Sequence, residues 1–243
     1  MKPSDPSRRD FLGVSAALAG LAIAPGILLY EVAHAKSAAE PASAKVRWGL
    51  LVDTTRCVAG CTACVDACRT QNGLAAPGRP TDVQWVRKVE LHDRGTGRTA
   101  FAPVMCQHCA EPPCVDVCPT GASFKRADGV VLVDRHICIG CRYCMMACPY
   151  KARSFVHEPQ SGRKADVPRG KGCVESCNLC APRIDRGGIP ACVEACAGAG
   201  HRVILFGDLN DPASEIALRI REVAARPLRP DLALDPGVRY AGL

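Results

Sequence analysis

Apolar and polar positions along this chain sort into short stretches of different pattern. From Leu12 to Tyr30 the chain is mostly apolar, interrupted by Gly20, Pro25 and Gly26. Ala, Ser, Glu and Pro dominate from Lys36 to Lys45, the composition of a flexible lead-in, so the folded part is expected to begin at Val46. Val46-Arg-Trp-Gly-Leu-Leu-Val-Asp53 predicts a β-strand, and further strands are predicted over Val83 to Leu91, Val130 to Asp134 and Arg202 to Phe206. A turn at Asp93-Arg-Gly-Thr-Gly97 follows the second of them. Ala67 to Asn72 reads as the end of a short helix stopped by Gly73, and Pro77 to Pro80 as a loop. Asp211-Pro212 predicts a helix start with proline at the first position. Ile216, Ile220, Val223 and Ala224 then share one face, so this helix is amphipathic, packs on a core and ends near Pro227. The polar, Gly/Pro/Arg-containing segment from Val156 to Lys171 reads as a surface loop. The tail to Leu243 holds no apolar stretch long enough to cross a membrane. Small strands and short helices of this kind belong to the α+β class.

Cysteines fill the gaps between these elements. The 243 residues include 17 cysteines but are only 5% aromatic, so a conventional apolar core would be thin. Metal ligation can supply the missing folding free energy. The clearest run is Cys138-Ile-Gly-Cys-Arg-Tyr-Cys-Met-Met-Ala-Cys-Pro149, with spacings of two, two and three residues and proline after the last cysteine. This is the bacterial ferredoxin pattern, in which three thiolates wrap one [4Fe–4S] cluster and the fourth reaches a second cluster. Gly140 allows the coil to turn tightly. The fourth cysteine is expected on a short helix that Pro149 stops.

Three more runs accompany it: Cys57, Cys61, Cys64 and Cys68; Cys106, Cys109, Cys114 and Cys118; and Cys177, Cys180, Cys192 and Cys196. The first opens with a three-residue gap instead of two. The second carries Glu111-Pro-Pro113 in a four-residue gap, and the last spans eleven residues between Cys180 and Cys192. The second and third runs are neighbours and form an inner two-cluster module, about residues 101–155. The fourth then closes on the first, an outer module of 46–100 plus 173–212, with a C-terminal helix and tail over 213–243. One ferredoxin-like module is thus nested in another. Zinc is satisfied by paired Cys-x2-Cys units farther apart, and crowded runs with an odd total of cysteines cannot all pair as disulfides without strain.

The formal charge of +7 counts every cysteine as neutral. Four clusters of about −2 each bring the total near about −1. The basic balance therefore offsets buried anionic clusters, and with no Lys/Arg-rich run it does not mark a nucleic-acid surface.

Ser7-Arg8-Arg9-Asp10-Phe11-Leu12 resembles a twin-arginine export signal, and Ala33-His34-Ala35 a small-x-small cleavage site, giving a signal peptide over 1–35. The alternative is an arginine pair ahead of a retained membrane anchor. The resemblance implies export to the periplasm of a protein already folded around its clusters.

The four runs in this order, with Cys177-Asn-Leu-Cys-Ala-Pro-Arg183 and Phe206-Gly-Asp-Leu-Asn-Asp-Pro212, resemble the four-cluster electron-transfer subunits of dimethyl sulfoxide reductase, polysulfide reductase and formate dehydrogenase complexes. Within them the chain is most similar to the DsrO group, the periplasmic iron–sulfur subunits of Dsr-type sulfite-reduction-associated membrane complexes. Its own twin-arginine signal, the Cys-x3-Cys opening and Gly237-Val-Arg-Tyr-Ala-Gly-Leu243 carry that likeness. The resemblance implies four [4Fe–4S] clusters. One is held by Cys57, Cys61, Cys64 and Cys196, and one by Cys177, Cys180, Cys192 and Cys68. The inner pair takes Cys106, Cys109, Cys114 and Cys148, and Cys138, Cys141, Cys144 and Cys118. Cys173, the seventeenth cysteine, falls outside this set. The extra residue of the first run and Ala197, where the family often has proline, are departures from the pattern. The implied partners are an integral membrane quinone-reactive subunit, a periplasmic multihaem cytochrome c and other subunits of a Dsr-type complex, in dissimilatory sulfur metabolism.

No catalytic signature stands apart from the cysteines. His108, between Cys106 and Cys109, either tunes a cluster or is a loop residue near solvent. Arg142 and Arg183, beside cysteines, offset cluster charge or are surface arginines. The expected function is a relay of single electrons through the four clusters. The alternatives are the beta subunit of a molybdopterin oxidoreductase of polysulfide, tetrathionate or dimethyl sulfoxide reductase type and, in a different class, a zinc- or disulfide-stapled secreted binding protein.

Overall fold

A computed structural model describes residues 42–75, 78–160, 164 and 167–243. The twin-arginine motif, the apolar stretch, the cleavage motif and most of the lead-in lie outside the described residues.

The sheet at the centre is built on β1, Trp48–Asp53. It pairs antiparallel with β8, Ile204–Asp208, placing Trp48 opposite Asp208 and Val52 opposite Ile204. On its other edge it pairs parallel with β9, Val238–Ala241, in the register Leu50 to Val238. The strand is buried on both faces because its side chains alternate. Leu50 and Val52 join the main core, while Leu51 faces a smaller one with Ile216 and Ala241. Trp48 stacks on Phe206 across the β1–β8 pair, ring centroids 5.0 Å apart.

Among the described residues three two-stranded units accompany this sheet. β2 (Val86–His92) and β3 (Thr99–Met105) form a hairpin, closed where Asp93 N–H donates to the Arg98 carbonyl at 2.9 Å and Asp93 Oδ1 accepts from Gly95 N–H at 2.8 Å. β4 (Ser123–Lys125) pairs with β5 (Val131–Val133), and β6 (Arg153–Phe155) with β7 (Val174–Ser176), all antiparallel. The helices are short: α1 (Ala63–Asn72), α2 (Pro113–Asp116), α3 (Tyr143–Ala147), α4 (Ala181–Ile184), α5 (Ala191–Gly198) and α6 (Glu215–Glu222). α1 packs on α5, α2 on α3, and α6 on β8 and β1. Gly73 ends α1 in the left-handed conformation, φ +63°, with its N–H on the Arg69 carbonyl, as the sequence predicts.

Several expectations are corrected. Helix α6 starts at Ser214, not at Asp211-Pro212: the Ser214 hydroxyl accepts from Ala217 N–H at 3.3 Å, and Asp211 instead organises the preceding turn by accepting from Ala213 N–H at 2.9 Å. Cys148 is not on a helix, since α3 ends at Ala147 and Cys148 is extended, φ −74° and ψ 111°. Arg202 precedes β8 in a left-handed conformation, φ +46°, and β2 begins at Val86 rather than Val83. The segment from Val156 to Lys171 is not all surface, because Val156, Val167 and Arg169 are buried. Arg169 Nε donates to the fully buried Glu175 at 3.0 Å, Trp85 Nε1 donates to the same carboxylate at 3.2 Å, and Arg169 also donates to the Gly73 carbonyl at 2.8 Å. That carboxylate is buried only because it is paired and hydrogen-bonded.

Ser214→Ala removes one cap bond and should lower stability by about 1 kcal/mol, whereas Pro212→Ala, outside the helix, should change it far less. Thermal or denaturant unfolding of the cluster-loaded protein checks both, and the opposite order would restore the helix start to Asp211-Pro212.

Candidate iron–sulfur centres

In every run the third and fourth cysteines stand four residues apart: Cys64 and Cys68, Cys114 and Cys118, Cys144 and Cys148, Cys192 and Cys196. On a helix this step keeps two side chains on one face, about 6 Å apart along the axis. α1 carries Cys64 and Cys68 and α5 carries Cys192 and Cys196, and the two helices pack against each other. Cys64 comes close to Cys196, and Cys68 to Cys192. In the other two runs a one-turn helix holds Cys114 or Cys144, and the fourth cysteine follows just beyond its end.

The thiols gather as four groups. Burial first, then Cys196, Cys57 and Cys61, push the Cys64 thiol up to about 11. Burial, followed by Cys177 and Cys180, raises Cys68, and burial followed by Cys68 and Cys180 raises Cys192. Cys106, Cys109, Cys114 and Cys148 line one small cavity. Burial pushes Cys106 and Cys109 up to about 12, with Cys114 and Cys148 adding to both. Cys118, Cys138, Cys141 and Cys144 line another cavity. Each thiol raises its neighbours because adjacent thiolates repel one another. Such crowding becomes stable when positive iron binds, and that binding releases the protons.

All 17 thiols are unpaired and 12 of them are buried, so the cysteines make up much of the core themselves. Among the described residues no three His, Cys, Asp or Glu side chains close on a single metal-ion position. In a cubane each thiolate takes a different iron, so four sulfurs stand apart around the cluster. Backbone amides already point at sulfur: Val203 N–H to Cys196 Sγ at 3.2 Å, Ser123 to Cys118 at 3.3 Å, Leu179 to Cys177 at 3.4 Å and Val174 to Cys138 at 3.5 Å. Such donors favour the ionised sulfur. Tyr150 Oη and Arg153 Nε, both beside the Cys106 cavity, and His108 Nε2 are buried without a protein partner. A cluster rich in acceptor sulfurs satisfies orphaned donors of this kind, so the residues fit the group.

Left-handed residues wrap the coils. His108 has φ +45°, Gly140 +70°, Arg142 +64°, Leu179 +53° and Cys180 +52°. At Gly140 the conformation is reinforced by space, for a Cβ there would lie 2.2 Å from the Gly172 carbonyl oxygen. The first run has no positive φ between Cys57 and Cys64. Its extra residue lets the chain turn without one, and the Lys88 ammonium gathers the carbonyls of Val58, Ala59 (2.7 Å) and Cys61 (2.8 Å) exposed by that wider loop. Lys88 also lowers the neighbouring Cys57 thiol, which burial more than offsets.

The polar residues singled out from the sequence fare unevenly. His108 is not near solvent: it is 2% exposed, and burial, then the Arg153 charge, push it down to about 3. Its Nδ1 accepts from Val131 N–H at 3.0 Å, so the neutral ring carries its proton on Nε2. Arg183 reaches Cys180 but is paired with Glu194 at 2.5 Å, and the exposed Arg142 lays its guanidinium over the Phe155 ring, 4.9 Å from the centroid. Cys173 stands outside the four groups and donates its S–H to the Gly170 carbonyl at 2.9 Å. Among the described residues the arginine whose hydrogen bond to a cysteine sulfur is direct is Arg153, which sequence reasoning missed. Arg153 Nη2 donates to Cys114 Sγ at 3.1 Å, and the guanidinium also lies against Cys144. The sequence offered little signal for it, since Tyr150-Lys-Ala-Arg-Ser-Phe-Val156 mixes charged and apolar positions.

The 4Fe-4S dicluster domain family matches residues 98–208, and a second family of the same description matches residues 52–122. The Hdr-like menaquinol oxidoreductase iron-sulfur subunit 1 of Archaeoglobus fulgidus is 40% identical, over 98% of both chains. A tetrathionate reductase subunit of Salmonella typhimurium is 37% identical over 98% of this chain and 89% of its own. A sulfite dehydrogenase subunit of Allochromatium vinosum is 40% identical over 79% and 81% respectively. The chain belongs to the 4Fe–4S dicluster, ferredoxin-type family of iron–sulfur electron-transfer subunits, and it carries four [4Fe–4S] clusters.

Proposed function

We propose that this chain is an exported relay, passing single electrons between a membrane quinone-reactive subunit and a redox partner in dissimilatory sulfur metabolism. The observation that carries it is the gathering of 16 cysteines into four groups, each drawing its members from two different runs. In this reading Cys57, Cys61, Cys64 and Cys196 hold one outer cluster, and Cys68, Cys177, Cys180 and Cys192 the other. Cys106, Cys109, Cys114 and Cys148 hold one inner cluster, and Cys118, Cys138, Cys141 and Cys144 the second. The inner two-cluster module is then nested within the outer one. The packing of α1 on α5 supports the closure of the outer pair over long range. When bound, the clusters take up and release one electron at a time; the chain supplies thiolates, amide donors, burial and charge, which set their potentials.

Similarity to a menaquinol oxidoreductase subunit supports the quinone-reactive membrane partner. The tetrathionate and sulfite relatives support sulfur chemistry in the complex it serves. Within the family we assign the chain to the DsrO group, working with a periplasmic multihaem cytochrome c and other Dsr-type subunits. Residues 1–35 would be its twin-arginine signal and 36–45 a flexible lead-in to the cluster domain, leaving the mature protein in the periplasm and held at the membrane by its partner. The likeness to the tetrathionate reductase relative favours a second reading, the same relay serving a reductase of a sulfur oxyanion.

Anaerobically purified protein should hold about 16 iron and 16 sulfide per chain. Cys173→Ala should leave that content and the low-temperature EPR spectrum unchanged, whereas Cys68→Ser should remove or alter one cluster signal. Loss of a cluster in the Cys173 variant would overturn the ligand sets.

The purified chain should be reduced by an artificial donor yet turn over neither sulfite, tetrathionate nor dimethyl sulfoxide. In membranes it should copurify with an integral quinone-reactive subunit and a multihaem cytochrome c, and Arg8→Lys with Arg9→Lys should strand it in the cytoplasm. Sustained turnover by the chain alone would sink the relay reading, and a variant still exported would sink the signal assignment.

A further inference from the structure

Arg153 is 5% exposed, and among the described residues no carboxylate lies within ion-pair distance of it. The other deeply buried arginine, Arg169, has Glu175 at 3.0 Å. An unpaired guanidinium in a protein interior costs several kcal/mol, so Arg153 must draw its compensation from something other than Asp or Glu. Its neighbours are sulfur. Nη2 donates to Cys114 Sγ at 3.1 Å, the guanidinium also bonds Cys144, and Cys106 lies within its field. Nη1 donates to Ser123 Oγ at 2.5 Å, which fixes the plane of the group, while Nε remains buried without a protein partner.

Cys114 and Cys144 belong to different groups, one to each inner cavity. They sit on α2 and α3, which pack together, and Arg153 opens β6, which packs on α3. We propose that Arg153 is the shared counter-cation of the two inner clusters, raising both reduction potentials together. The proposal rests on the ligand sets given above. A fixed positive charge stabilises the reduced, more negative form of any cluster it touches. Because this one touches a ligand of each, it faces the same summed charge whichever of the two holds the electron. Negative charge lost at one is gained at the other, and no proton need move. Arg153 therefore raises both potentials, and that of the Cys106 group, whose cavity it lines, at least as far as the other.

The test is redox titration of the cluster-loaded protein, followed by EPR, for wild type, Arg153→Gln and Arg153→Lys. Glutamine keeps amide donors for Ser123 and Cys114 but removes the charge; lysine keeps the charge and loses the fork. In Arg153→Gln two of the four potentials should fall together, each by tenfold or more in its reduction equilibrium, about 59 mV for one electron. The other two should not move, iron content should stay at the wild-type value, and Arg153→Lys should recover most of the shift. The proposal is overturned if, at full iron content, neither potential moves, only one moves, or lysine shifts both as far as glutamine does. If Arg153→Gln fails to retain four clusters, the lysine variant decides: two potentials near wild type sustain the shared charge, and a full tenfold fall in either removes it. A wild-type iron count near half the expected value would strike the ligand sets themselves, a separate failure read before any variant is made.

Discussion

Everything in this molecule depends on the four-residue step between the third and fourth cysteine of each run. On α1 and α5 the step puts two sulfurs on one face of one helix, and in the two inner runs it carries the second sulfur just past a one-turn helix. In each run the two go to different groups. A run cannot then complete its own group and must borrow a cysteine from another run. Tertiary structure follows from that debt between runs: α1 has to lie on α5, and α2 on α3, or the groups stay incomplete. The strands are correspondingly slight, mostly pairs of three to seven residues that hold the cysteine coils apart at fixed separation.

Charge is the second constraint. Four anionic clusters inside a chain this small need positive charge close by, and a surface excess of lysine and arginine is screened by water and salt. The structure places cations at specific atoms, one half-buried and one buried. Lys88 lies on the first-run carbonyls and Arg153 between the inner thiols. Other arginines that look equally suitable are occupied: Arg126 by Asp128 and Asp185, Arg183 by Glu194. Position beside a cysteine brings Arg142 to the cavity of the Cys138 group and Arg183 within reach of Cys180, while the arginine hydrogen-bonded to sulfur, Arg153, comes from farther along the chain.

The cysteine spacings made the cofactor legible, because few chemistries tolerate four thiols within so short a run. The Gly73 helix stop, the Asp93 turn and the amphipathic face of α6 were legible too, each being a local effect of a few residues. What escaped was set by distant contacts. β9 carries no strong strand pattern of its own, and Val238-Arg-Tyr-Ala241 is extended because β1 offers it an edge. β3 was hidden by Pro103, tolerated because the hairpin leaves that side unpaired. The burial of His108 depends on Val131, 23 residues on, and Arg153 declares its role only once Cys114, 39 residues earlier, is folded against it.

The parallel pairing of β9 with β1 has a consequence for biosynthesis. β1 leaves the ribosome just ahead of the first cysteine run, yet one of its edges stays open until residue 241 has been made. Its other edge waits for β8, which follows Cys196. The coil from Cys106 to Cys109 shares that delay, because Gly237 N–H donates to the Gln107 and His108 carbonyls, at 2.8 and 3.0 Å, and Ala110 N–H donates to the Asp235 carbonyl at 3.0 Å. Closure of the central sheet and the fastening of that cysteine coil are therefore one late event, reached only once residues 235–241 have been made.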